Sequence, residues 1–208
     1  RDYNYRRHII YITIFFKDKQ MMPLRAEITT SLFGAWRLFK FDPGGMKYFN
    51  HTADGFWRSF SAALIALPMF LVLSVLHTTD AEGERSTGIG LHLLRYGLGW
   101  VVFPIVMVWL VQVLERRGQY ASYIIAINWL AVPQWTLVLV VSYLGMALGG
   151  IVGDLLVLSL LMLLLYYDYF VTRLVLDLSF GKTILVVVIG LLLAVLLDAL
   201  ILSLGRGA

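Results

Sequence analysis

The 208-residue chain contains no cysteine. That excludes disulfides, thiol nucleophiles and cysteine-ligated zinc, and leaves the compartment open. Charge is scarce as well: Asp, Glu, Lys and Arg make up 14% of the residues, where soluble domains carry roughly 25%. The four histidines, His8, His51, His77 and His92, are scattered, so no metal site is expected. Nucleophile elbows and HExxH pairs are missing. Gly145, Gly149, Gly150 and Gly153 do not form a phosphate loop, because no Lys-Ser/Thr follows them. No catalytic residue emerges, and the expectation is a non-enzyme without a cofactor.

Apolar length is what the chain has. It is 60% hydrophobic, with a mean hydropathy of +0.80. Thr183–Leu204 is almost wholly Leu, Ile, Val and Ala, broken by one carboxylate, Asp198. About 20 such residues cross the roughly 30 Å of bilayer hydrocarbon. Four more runs precede it: Phe56–Leu76, Leu93–Leu114, Tyr120–Leu144 and Asp154–Tyr169. The pattern predicts an all-α fold, a polytopic membrane bundle of five transmembrane helices over 56–205. Gly145–Gly153 reads as a tight Gly-rich connection. Thr172–Lys182 reads as an apolar joint forming a short interfacial helix. Asp154 is expected to cap the fourth span, and Arg173 and Asp177 to pair at i,i+4 spacing.

Residues 23–55 form an interfacial segment. In Pro23–Phe41, Leu24, Ile28, Leu32, Ala35, Trp36 and Phe39 recur at helical spacing, and Arg37 and Lys40 fall mostly elsewhere. This is an amphipathic helix with Trp36, Arg37, Phe39 and Lys40 at the membrane interface; packing on the spans is the alternative. Asp42-Pro43-Gly44-Gly45 stops it. Thr52 of the sequon Asn50-His51-Thr52 is expected to cap the next helix. Trp57 and Arg58 anchor the first span. Within 1–22, Ile9–Phe16 is too short to span and lacks a cleavage site; this segment reads as an upstream extension or an interfacial piece.

Ten of the 17 Lys and Arg residues lie at or before the entry to the first span, and basic clusters then alternate between loops. The positive-inside rule predicts a cytoplasmic N-terminus and an odd number of spans. The expected location is a bacterial inner membrane. The partners expected are the lipid bilayer and a membrane protein or a second copy, and the net charge of +4 is read as topology, not as a nucleic-acid signal.

The layout resembles that of bacterial members of the Yip (Ypt-interacting protein) family. The features that carry it are five crowded spans, then Tyr166-Tyr167-Asp168-Tyr169-Phe170, Arg173, the apolar joint Leu174–Leu178, and Ser179-Phe180-Gly181-Lys182-Thr183 leading into the last span. The Asp-Leu-Tyr-Gly-Pro motif of the eukaryotic branch has no counterpart; Phe41-Asp42-Pro43-Gly44-Gly45 stands nearest and differs. The resemblance implies a membrane-organising or partner-binding role and transfers no catalytic residue.

Inside the spans, Asp198, Asn128 and Gln134 form a candidate polar cluster. Pro68, Pro104 and Pro133 fall at similar depth, and each frees a backbone carbonyl one turn earlier. Such residues serve either as inter-helix glue or as the lining of a cavity. The leading expectation is an accessory or scaffold subunit. The alternative is a small transporter or channel subunit with Asp198 in a proton- or ion-coupled path.

Overall fold

A computed structural model describes residues 23–79 and 89–207. The N-terminal segment 1–22 and the centre of the loop between the first two spans lie outside the described residues. Those residues form seven α-helices: α1 Leu24–Phe39, α2 Ala53–Ser59, α3 Ser61–Thr79, α4 Ile89–Val113, α5 Tyr120–Leu148, α6 Gly150–Leu176 and α7 Phe180–Gly207. Two 3-10 turns, Pro43–Tyr48 and Arg117–Gln119, join α1 to α2 and α4 to α5. Five helical stretches are long and apolar enough to cross a membrane: Ala53–Leu76, Ile89–Val113, Arg117–Leu148, Gly150–Leu176 and Phe180–Gly205. The fold is therefore the expected five-span helical bundle.

The centre of the bundle is α5. Tyr123, Ile124, Ile125, Ala126, Asn128, Trp129 and Leu130 are all buried, so the first half of the helix is covered on every side rather than on one stripe. It packs on α1, α2, α3 and α6. By contrast, α4 packs chiefly on α7 and only lightly on α3 and α5. The molecule is thus a tight group around α5 with an α4–α7 pair leaning against it, and a cleft remains between them.

Local chemistry corrects several sequence expectations. The Gly-rich connection shrinks to Gly149, at φ 60°, because the flanking helices run to Leu148 and from Gly150. Asp154 accordingly does not cap α6; Gly149 holds that position and no acid lies in the first turn. The apolar joint is not a separate interfacial helix. Helix α6 continues to Leu176, ends at Asp177 in the left-handed region (φ 47°), and α7 begins at Phe180. Nor do Arg173 and Asp177 pair. Arg173 donates to the Tyr169 hydroxyl at 3.3 Å, while Arg116 donates to the carbonyls of Leu176 and Asp177 at 2.8 and 2.9 Å. Two orphan carbonyls at a helix end thereby gain a cationic donor, which also complements the helix dipole.

At the basic end of the bundle, α1 lies across α5 and reaches α6. Ala35 and Leu38 are fully buried, while Phe33 and Trp36 are half exposed and Lys40 sits 4.8 Å over the Trp36 ring. One side of α1 therefore packs on protein, and the other offers aromatic and basic groups suited to an interface. The following turn rests on α1 backbone to backbone: a Cβ on Gly34 would stand 2.8 Å from the Gly45 carbonyl oxygen, and one on Gly45 2.5 Å from that of Gly34. Asp42 caps the turn, accepting from the Gly44 N–H at 2.8 Å and from Arg37 Nε at 2.6 Å. The Gly44 N–H first, and the Arg37 guanidinium second, hold its carboxyl below the ordinary range. Thr52 caps α2, accepting from the Gly55 N–H at 3.1 Å.

The far end of α1 is fixed to α6 by Tyr167, whose hydroxyl donates to the Phe39 carbonyl at 2.7 Å. Its ring stacks on Phe39 and Phe41 at 4.8 and 4.6 Å. Tyr167→Phe keeps the stacking and loses the hydrogen bond. The expected cost is about 1 kcal/mol, read as a small fall in the detergent unfolding midpoint. Tyr167→Ala, which removes both, should cost several times more; equal effects would mean that the ring contributes nothing.

Candidate functional site: a polar cavity inside the bundle

The cleft between the α4–α7 pair and the α5–α6 pair contains a cavity of about 270 Å³. Helix α4 brings Arg95, Tyr96, Trp100 and Phe103 to it; α5 brings Tyr123, Asn128, Gln134 and Trp135. From α6 come Asp168 and Thr172, and from α7 Val186 and Gly190. Small residues make the space. A Cβ at Gly99 of α4 would meet nothing within 4 Å, and at Gly190 of α7 it would only touch Phe103 at 3.5 Å.

Polar groups at and beside this space are paired, in an order that follows the bundle axis. Farthest from the basic end, Arg95 donates through Nε and Nη2 to the two carboxylate oxygens of Asp198, the second bond measuring 2.9 Å. Each residue is about 18 positions from the basic end of its helix, or roughly 27 Å along the axis, so the two meet at one level. Deeper in the cleft, Gln134 Nε2 donates to Asp168 at 3.3 Å. Toward the basic end the Tyr123 and Thr172 hydroxyls share a buried hydrogen bond of 3.0 Å. Asn128 Nδ2 donates to Ser59 Oγ at 2.9 Å, and Ser59 in turn to the Phe56 carbonyl at 2.7 Å. A charged or polar group at membrane depth costs several kcal/mol unless it is paired or meets water, which accounts for the pairing of these groups.

The structure places the three candidate polar residues in different roles. Asn128 and Gln134 both reach the cavity. Asp198 binds Arg95 at its far end and is not among the lining residues. The three prolines do not converge. Pro104 is buried and lines the cavity, and its carbonyl accepts from the Tyr120 hydroxyl at 3.1 Å. Pro133 lies in a second, apolar groove between α1 and α5, with Leu32, Trp36 and Phe39. Pro68 is exposed on α3. Of the interface residues, Arg37 is paired with Asp42 and reaches Tyr48 at 3.1 Å, while Arg58 binds Glu27 at 2.7 Å. Trp57 is exposed.

Sequence reasoning missed two cavity residues, Asp168 and Arg95. Asp168 stands inside the aromatic string Tyr166–Phe170, whose rings mask the one carboxylate among them. Arg95 lies near the start of the second apolar run, where a cation is expected to snorkel to water. For Arg95 the available signal was Asp198: one cation and one anion, each within an apolar run, on two spans that run antiparallel. Among the described residues no three His, Asp or Glu side chains gather as metal ligands do.

The fold defines a polytopic α-helical membrane protein, with a cleft lined by aromatic and polar side chains. No protein-family model matches the chain, and comparison with curated proteins and with solved structures found no match.

Proposed function

We propose that the protein is a small membrane carrier whose interior cavity is the solute site and whose Arg95–Asp198 pair closes one end of it. The observation that carries this reading is the juxtaposition of the cavity with Asp168 at its wall and that ion pair at its far end. Glue between helices requires only that these polar groups meet each other, whereas here they border a cleft of about 270 Å³. Helix α4 packs lightly on α3 and α5, while α7 is held by both α4 and α6; a rocking of α4 about α7 is the movement that alternating access would use. The ion pair serves as the latch, broken and remade in each cycle, since its partners are 29% and 48% exposed in their side chains.

The test is uptake into liposomes holding the full chain, with three labelled probes of different charge: 1-methyl-4-phenylpyridinium, glycine betaine and benzoate. At least one should enter faster than into empty vesicles. Asp168→Asn should lower that uptake about tenfold or more, consistent with a lost charge at membrane depth. Uptake of all three probes at the empty-vesicle rate sinks the reading.

A second reading, a membrane-organising or partner-binding subunit, accords with the resemblance to the Yip family. It is supported by the wide apolar face of α6 and α7, where Leu155, Leu158, Met162, Leu192 and Leu196 are all exposed. Stoichiometric recovery of one membrane partner in gentle detergent would favour it, and recovery as a lone monomer would remove it.

A further inference from the structure

The cavity carries a chemical preference, an inference that rests on the reading that solutes occupy it. Its ends differ in uncompensated charge. At the far end the Arg95 guanidinium is engaged bidentately by Asp198, a geometry that satisfies both charges. At the other end, Asp168 accepts one hydrogen bond among the described residues, from the neutral Gln134 amide. Asn128, Thr172 and Tyr123 are neutral and already bonded. Arg95 is the one Lys, Arg or His among the lining residues. An ionised Asp168 is therefore the charge that the cavity leaves without a counterion.

The walls are aromatic. Tyr96 stands between Trp100 at 6.0 Å and Trp135 at 6.1 Å, and Phe103 and Tyr123 form a second set 6.3 Å apart. Ring faces attract cations and repel anions. A bare metal ion would want six or more oxygen ligands, which these rings do not supply. The space lies below the roughly 300–1,000 Å³ of sites for drug-sized molecules. We propose that this cavity binds a small organic cation, a protonated or quaternary amine. Its charge rests against Asp168, and its carbon body lies between the two ring sets.

The absence of cysteine supplies the test. Gly99→Cys puts a thiol on the cavity wall at a position where a side chain meets open space. The full-length variant in detergent is labelled with a cationic (trimethylammonium), an anionic (sulfonate) and a neutral (methyl) methanethiosulfonate, each rate normalised to that with free thiol in water. The cationic reagent should react about tenfold faster than the anionic one, a difference of about 1.4 kcal/mol. Adding Asp168→Asn should abolish the preference, and adding Asp168→Glu should keep it. Labelling should slow with 1-methyl-4-phenylpyridinium and not with 4-methylbiphenyl, which has the same shape without the charge. This protection needs no change at Asp168, so it decides the matter even if Asp168→Asn fails to fold. Equal rates for both charged reagents, a preference that survives Asp168→Asn, or equal protection by the neutral isostere overturns the organic-cation inference and leaves the carrier reading standing. Failure of all three reagents to label overturns both.

Discussion

Gly153→Leu should unfold the protein under conditions in which the parent chain remains a single species. Helices α5 and α6 meet across the one-residue break at Gly149, and they pass each other at Gly145 and Gly153 with no side chain between them. A Cβ on Gly153 would collide with the Gly145 carbonyl, and one on Gly145 would lie 3.1 Å from Val157 Cγ2. Backbone carbonyls cannot rotate away as a flexible side chain does, so relief requires separating the two helices that pack most extensively on each other. Small residues permit such approaches in membranes, where dispersion and not water exclusion drives association. Overpacking commonly costs 1–3 kcal/mol, and here a four-carbon side chain replaces hydrogen, so about 3 kcal/mol is expected. For a chain of this size that is a fall in midpoint of about 6–12 °C, measured as the fraction surviving as one peak after heating in detergent. Gly97→Ala is the control. Nothing lies within 4 Å of a Cβ there, and in mid-helix the change should be neutral or stabilising by about 0.5–1 kcal/mol. Equal midpoints for Gly153→Leu and Gly97→Ala would show that the crossing is looser than described.

The second large effect is expected at Arg58. Glu27 is 3% exposed, and its carboxylate accepts from Arg58 Nη1 at 2.7 Å and from Asn50 Nδ2 at 3.1 Å. The pair joins α1 to α2 across the basic end. Removing one partner of a buried ion pair leaves the other charge desolvated and uncompensated, which typically costs 3–5 kcal/mol. Arg58 is partly exposed, which lets water soften the loss, so Arg58→Met should cost about 3 kcal/mol. Glu27→Gln added to Arg58→Met removes the stranded charge and should recover at least half of that. The measurement is a double-mutant cycle on the unfolding midpoint. If the double variant is no more stable than Arg58→Met alone, the loss comes from packing of the arginine stem and not from the charge.

How far the sequence could be read depended on the range over which each signal acts. The five spans are legible because a run of 20 apolar residues has no other stable environment. Thr52 as a cap is legible because its hydrogen bond closes within three residues. The lengths of the connections were misread. Gly145, Gly149, Gly150 and Gly153 look alike in a row, yet only Gly149 and Gly150 carry the positive φ that breaks the helix. The other two are there for helix contact. Glu27 illustrates a longer-range limit. On helical spacing it falls at the edge of the apolar stripe, on the side of Thr30, and reads as solvated. It is buried because the turn after α1 brings Asn50 and Arg58 over it, 23 and 31 residues later. Asp198 stood out at once as the lone carboxylate in an apolar run. Its partner did not, because a cation near the end of a span is expected to snorkel toward water.

The Arg95–Asp198 pair spans 103 residues of sequence, and ribosomes add about 5–20 residues per second. The second helix therefore waits about 5–20 s in the bilayer before the residue that neutralises its arginine has been made. Throughout that interval Arg95 has to hold its guanidinium at the lipid–water boundary, while the third and fourth spans, packed around α5, can already fold together. The cavity is thus completed only once α7, the last of the described helices, has been made. A nascent chain arrested before Asp198 would have its central group in place but no closed chamber.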